Sequence, residues 1–183
     1  KFELNGTTNQ DILSTGAITA GAGGLNFIMN NSAGATLNTP LILPDELTLT
    51  DGKITTDLTN ILTMVDGSSY SGGSTSSFVQ GPMKKIGATD FTFPVGEGGI
   101  YAPITISGGT GGAATDAFIA TYFRTDPRGV IGNVLEPPIN HISYAEYWEL
   151  TQDNGSASKI VTLDIHSTSF SKTVPDTYVS RFD

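Results

Sequence analysis

The first half of the chain is a succession of apolar runs too short to be helices, each closed by residues that turn the backbone. Leu25-Asn26-Phe27-Ile28-Met29 runs into Asn30-Asn31-Ser32-Ala33-Gly34, Leu41-Ile42-Leu43 into Pro44-Asp45, Leu47-Thr48-Leu49-Thr50 into Asp51-Gly52, and Ile61-Leu62-Thr63-Met64-Val65 into Asp66-Gly67. Runs of this length suit short strands, and the Asn, Asp, Gly and Pro that follow supply turn conformations. No segment sustains a 3.6-residue period, so the sequence predicts an all-β fold. The interval between runs is irregular, 22 positions from Leu25 to Leu47 and 14 from Leu47 to Ile61. Imperfect repeats of this kind fit a β-solenoid, in which each coil stacks on the last and buries a narrow apolar interior. Around Asp51-Gly52 two readings stay open, a solenoid corner and a type I′ hairpin.

Ser68 to Ser77 is nearly all Ser, Gly and Thr and reads as a flexible or tightly turning loop close to a boundary. Beyond it, Phe91-Thr92-Phe93-Pro94-Val95 and Ile104-Thr105-Ile106 each end in a Gly cluster, and further strands are predicted at Ala117–Phe123, Glu146–Leu150 and Ile160–Ile165. Phe91 and Phe93 share one strand face, as do Val161, Leu163 and Ile165. Gly81-Pro82 ends a strand, because Pro cannot donate to a ladder. Asp153-Asn154-Gly155 supplies hairpin chemistry between the last two strands. The predicted organisation is a β-solenoid-like region over 1–87 and a β-sandwich module over 88–183, truncated at its C-terminal end. Phe2 and Leu4 open a strand with no cap before them, and Tyr178 to Asp183 reads as another strand beginning, so the chain reads as an excerpt of a longer polypeptide.

Composition narrows the function. Eighteen acidic against nine basic residues give a net charge of −9, which repels a phosphate backbone, and Lys84-Lys85 is the only basic pair that stands out, so nucleic acid is not an expected partner. The absence of cysteine removes disulfides, thiolate zinc sites and cysteine nucleophiles. No apolar run reaches the roughly 18 residues of a spanning helix. Charged residues make up only 15% of the chain, so its solubility rests on Thr, Ser, Asn and Gly, as in many extracellular β-proteins.

Candidate chemistry is sparse. His141 and His166 sit in unrelated contexts and read as surface residues, and no Gly-x-Ser-x-Gly elbow occurs. Asp45-Glu46 falls in a turn, while Glu146 and Glu149, three apart in a strand, point to opposite faces. The acidic turn residues Asp51, Asp57 and Asp66 offer oxygen ligands for calcium, although no Asp-x-Asp-x-Asp-Gly loop is present. Tyr70, Tyr101, Tyr144, Tyr147 and Trp148 are the aromatics available to a sugar-binding surface, with Trp148 expected to pack inward beside Leu150. The reading therefore assigns no catalytic and no cofactor-binding residue, and leaves metal ligands unassigned.

The stretch from Ser76 to Gly87, SSFVQGPMKKIG, together with Phe91-Thr92-Phe93-Pro94-Val95-Gly96 and Tyr101-Ala102-Pro103-Ile104, resembles a segment of very large adhesin-like surface proteins of Bacteroidota. Leu47–Thr56 is similar to their repetitive solenoid stretch, and Ile142–Leu150 to their Glu-Tyr-Trp strand; the likeness covers Leu41 to Leu163. It implies a secreted or cell-surface location, export by the type IX secretion system, and no catalytic motif to carry over. Nothing after Ile165 resembles the sorting domain of such proteins, so the export route rests on the likeness alone. The expected function is a non-catalytic structural or adhesive module that displays neighbouring modules or joins copies of itself into filaments. The runner-up is a carbohydrate-binding domain for surface glycans, and the third reading a polysaccharide-active β-helix enzyme.

Overall fold

The structure, a computed structural model, describes residues 1–16, 18–19, 26–132, 137 and 142–165. Short strands wind three to a coil. The first coil comprises β1 (Phe2–Leu4), β2 (Gln10–Ile12) and β3 (Ile18–Thr19); the second β4 (Phe27–Asn30), β5 (Ala35–Leu37) and β6 (Leu41–Leu43). The third comprises β7 (Glu46–Asp51), β8 (Ile54–Thr55) and β9 (Leu62–Met64); the fourth β10 (Ser69–Gly72), β11 (Val79–Gln80) and β12 (Met83–Ile86). Corresponding strands of successive coils pair in parallel, giving three sheets in the orders β1-β4-β7-β10, β2-β5-β8-β11 and β3-β6-β9-β12. The N-terminal part is thus a β-solenoid, as the sequence predicts.

Alternation within each strand explains why so few residues suffice. Phe27, Leu47 and Tyr70 lie in register along the first sheet, Ala35, Ile54 and Val79 along the second, and Leu41, Leu62 and Met83 along the third. All but the half-buried Tyr70 are buried, so stacking coils threads one apolar column through the molecule. The residues between them, Thr48, Thr36, Thr55 and Ile42, turn outward. Polar outer rungs bond along the stack: Glu46 accepts from Asn26 and from Ser71 one coil on.

The Asp51-Gly52 ambiguity resolves in favour of a corner, since β7 and β8 belong to different sheets. Asn31, Gly52 and Ser77 stack at this corner: Asn31 N–H donates to the Asp51 carbonyl, Gly52 N–H to the Ser76 carbonyl, and Ser77 Oγ to the Gly52 carbonyl, each at 3.0 Å. Gly52 has φ +86, and a Cβ there would lie 1.7 Å from the Asn31 carbonyl oxygen. Gly52→Ala should therefore lower stability by about 1–3 kcal/mol, measured as a shifted denaturation midpoint. An unchanged midpoint would mean that the corner is not closely stacked.

Beyond the fourth coil most of the pairing turns antiparallel. β13 (Phe91–Phe93), β14 (Val95–Glu97), β15 (Ile100–Tyr101), β16 (Ile104–Thr110) and β17 (Ala117–Phe123) lead to a short helix α1 (Arg128–Ile131), then β18 (Tyr147–Asn154) and β19 (Ser158–Leu163). β14 adds in parallel to β11, β17 adds antiparallel to β12, β18 to β17, and β13-β16-β19 form a separate antiparallel sheet. The strands after residue 87 thus extend two of the solenoid sheets, and one hydrophobic cluster runs from Leu4 to Ala157.

Two local expectations change. The Ser68–Ser77 segment contains the strand β10, because a parallel ladder asks only for backbone groups and Ser and Gly supply them. The turn after Asn154 joins strands of different sheets, so it is not a hairpin: β18 pairs with β17 and β19 with β16. Gly155, at φ +92, is needed there because a Cβ would meet the Asp116 carboxylate at 1.9 Å.

Candidate functional site

The acidic turns lie at separate corners, and Asp51 and Asp57 are occupied by their own backbone. Asp57 accepts from the N–H groups of Thr59 and Asn60 and from Asn60 Nδ2, and these bonds hold its carboxyl below the ordinary aspartate range. Asp51 accepts from Gly52 N–H. Asp66 is exposed at the mouth of an open groove of about 460 Å³. Among the described residues no three acidic or histidine side chains converge as a metal site. His141 and His166 lie outside the described residues.

The remaining carboxylates are separated. Glu46 belongs to the outer polar rungs. Glu149 is exposed on β18, opposite Thr121. Glu146, just before β18, is buried, and its Oε2 accepts from Tyr122 Oη at 2.5 Å. Its Oε1 is buried with no hydrogen-bond partner among the described residues. Burial, reinforced by this bond, pushes the Tyr122 phenol well above its ordinary range. Tyr122→Phe would leave a buried carboxyl without its one donor and is expected to cost about 1–3 kcal/mol in a denaturant titration; an effect near zero would mean that the bond does not persist in solution.

The aromatics divide into packed and displayed. Tyr70 sets its edge against Phe91, ring centroids 5.8 Å apart, and burial raises the Tyr101 phenol. Trp148 packs on Tyr122 and donates from Nε1 to the Ala102 carbonyl at 2.9 Å, beside the core as the sequence predicts. Tyr147 stacks face to face on Phe123 across the β17–β18 ladder, 4.6 Å between centroids and 15° between planes. Tyr144 is 52% exposed, with the Arg128 guanidinium 4.1 Å above its ring.

The two lysines of the basic pair have opposite fates. Lys84 points outward and pairs with Asp153 at 2.5 Å. Lys85 is fully buried, its Nζ donating at 2.6 Å to the carbonyls of Val65 and Ile86 and lying 5.5 Å from the Phe91 ring centre. Sequence reasoning missed this residue; its one signal was strand alternation, which puts Lys85 on the face of Met83. In the groove beside Asp66, Lys159 likewise donates to backbone carbonyls, of Ala88 and Gly108.

Comparison with protein-family models, curated proteins and solved structures gives no match. No helix among the described residues is long and apolar enough to cross a membrane.

Proposed function

We propose that the chain is a non-catalytic structural or adhesive module of a large secreted or cell-surface bacterial protein, with an antiparallel, sandwich-like region at its C-terminal end. The observation that carries this reading is the unbroken apolar column of stacked coils under polar outer faces, the build of a rigid spacer. Coils of this kind stabilise one another and hold their two ends at a fixed separation. The resemblance of residues 76–87 and 91–96 to Bacteroidota adhesin-like proteins supports an extracellular location and export by the type IX route. Neighbouring modules or other copies of the chain are the partners, and the separation of the candidate carboxylates favours a role without turnover.

A second reading, a carbohydrate-binding domain, draws on the exposed Tyr144 ring with Arg128 against it, since an amphipathic ring beside a fixed donor is how sugars are held. Screening the folded chain on a glycan array and a polysaccharide panel separates the readings. A spacer leaves both blank. Saturable binding of a defined glycan, lost in Tyr144→Ala, would replace it with the second reading, and turnover of a polysaccharide with an enzymatic one.

A further inference from the structure

We propose that the outer edge of β18 is a self-pairing surface, through which two copies of the chain join their sheets antiparallel about a two-fold axis at Leu150. The sheet β3-β6-β9-β12-β17-β18 ends on this strand, which is eight residues long and has no neighbour on its outer side among the described residues. Such an edge presents a row of backbone donors and acceptors, and proteins that stay single blunt it with short strands, lysine, proline or a bulge. Most of the other sheet ends are short: β1, β2, β3, β10, β13 and β15 span two to four residues each, and β19 spans six. β18 has neither Lys nor Pro, and its one irregularity lies at its far end, where Ala117 faces Asn154. Trp148 and Leu150, which turn toward the core, are only half-buried, as expected on a strand that ends its sheet among the described residues.

Charge narrows the register of such a pair. An antiparallel pair of identical strands sets side chains of the same face opposite each other, so the axis must pass through a residue. Centring on Glu149 would oppose two glutamates, and centring on Thr151 would oppose Glu149 and Asp153. Centring on Leu150 pairs residues 147–153 with no like charges opposed: Tyr147 meets Asp153 of the partner subunit, Trp148 meets Gln152 of the partner subunit, and Glu149 meets Thr151 of the partner subunit. Axes at Trp148 or Gln152 also avoid like charges but shorten the overlap. The contact is isologous and therefore closes as a dimer without growing into a filament.

Sedimentation of the full chain over a wide concentration range, with three variants, tests this. The wild type should show a monomer–dimer equilibrium. Thr151→Glu sets a like charge opposite Glu149 of the partner subunit, twice per dimer, and should weaken association roughly three- to tenfold, whereas Thr151→Lys should strengthen it by a similar factor. Both changes are on the exposed face and leave the monomer folded. Leu150→Cys, in a chain with no other cysteine, should give a disulfide-linked dimer on mild oxidation, because directly opposed Cα atoms fall within disulfide range. A strict monomer at the highest concentration would overturn the proposal. So would Glu and Lys variants that shift in the same direction, or a Leu150→Cys chain that stays unlinked while the wild type dimerises. None of these outcomes touches the glycan and polysaccharide screens, so the pairing surface and the spacer role fail separately.

Discussion

Replacing Phe93 by alanine is expected to cost about 3–5 kcal/mol and to lower the unfolding midpoint of the whole chain in one step. Phe93 is fully buried on β13, with its ring 5.1 Å from that of Phe91 in an edge-to-face arrangement. It stands just beyond residue 87, where the sequence places a boundary. Its cluster nonetheless includes Leu62, Met64 and Val79 of the coils as well as Ile104 and Phe118 of the strands that follow. A cavity there loosens Phe91, whose ring also meets Tyr70 of the fourth coil, so both sides should lose stability together. The two sides can be watched separately: Trp148, the only tryptophan, reports the antiparallel region by fluorescence, and far-ultraviolet circular dichroism reports all the strands. Coincident transitions, shifted equally in Phe93→Ala, mean one cooperative unit. A tryptophan transition that moves while most of the dichroism stays put would mean that 1–87 and 88–183 unfold as separate domains.

What the sequence made legible was the strand content and the solenoid principle; the coil length was hidden. The steps along the first sheet are 20 residues from Phe27 to Leu47 and 23 from Leu47 to Tyr70. The sequence interval of 14, from Leu47 to Ile61, compares different places in a coil: Leu47 lies in the first strand of its coil, whereas Ile61 precedes the third. Three faces per coil mean that every apolar run looks alike, and only pairing says which runs correspond. Tyr70 is the proper successor to Leu47, yet Ser-Ser-Tyr-Ser-Gly-Gly carries no hydrophobic pattern, so local composition pointed to a loop. The register is set there by the ladder, a long-range constraint that composition cannot report.

The polar residues were legible in proportion to how locally they act. Asp51 and Asp57 bond the backbone within a few residues of themselves, and their turn role could be read directly. Asn31 could not. It is fully buried, and its Nδ2 donates to the Thr8 carbonyl at 2.8 Å and to Gln10 Oε1 at 3.0 Å, groups of the preceding coil more than twenty residues away. Glu146 and Tyr122 meet across a similar span through the β17–β18 register. Of the five aromatics read as candidates for a surface, Trp148 joins the core edge and Tyr70 packs against it, a division decided by which strand face each occupies.

Lys85→Ala is expected to cost about 2–5 kcal/mol, and Lys85→Met to stay within about 1 kcal/mol of the wild type at neutral pH while changing how stability depends on pH. Leu43, Met64 and Lys85 are in register along the third sheet, so a lysine occupies the third place in a column of apolar side chains. Methionine fills nearly the same volume, and the Val65 carbonyl keeps the donors of Ser68, its N–H and its Oγ. Both changes remove the ammonium's bond to the Ile86 carbonyl, and alanine alone leaves a cavity as well. Burial pushes the Lys85 ammonium below its ordinary pKa, with the nearby Asp66 carboxylate opposing the shift. Between the folded pKa and the unfolded value near 10.4 the unfolded chain therefore binds more protons. Wild-type stability gains from rising pH in that window, and the cost of burying the charge is fully present below it. Tyr101 and Tyr122 act in the opposite sense, since their raised phenol pKa values withdraw stability once pH exceeds about 10, but they do so equally in both proteins. The informative quantity is the difference between wild type and Lys85→Met, followed by denaturant titration from pH 7 through the unfolded lysine value of about 10.4. It should move in favour of the wild type as pH rises; parallel curves would show that the ammonium is as well solvated in the folded chain as in water.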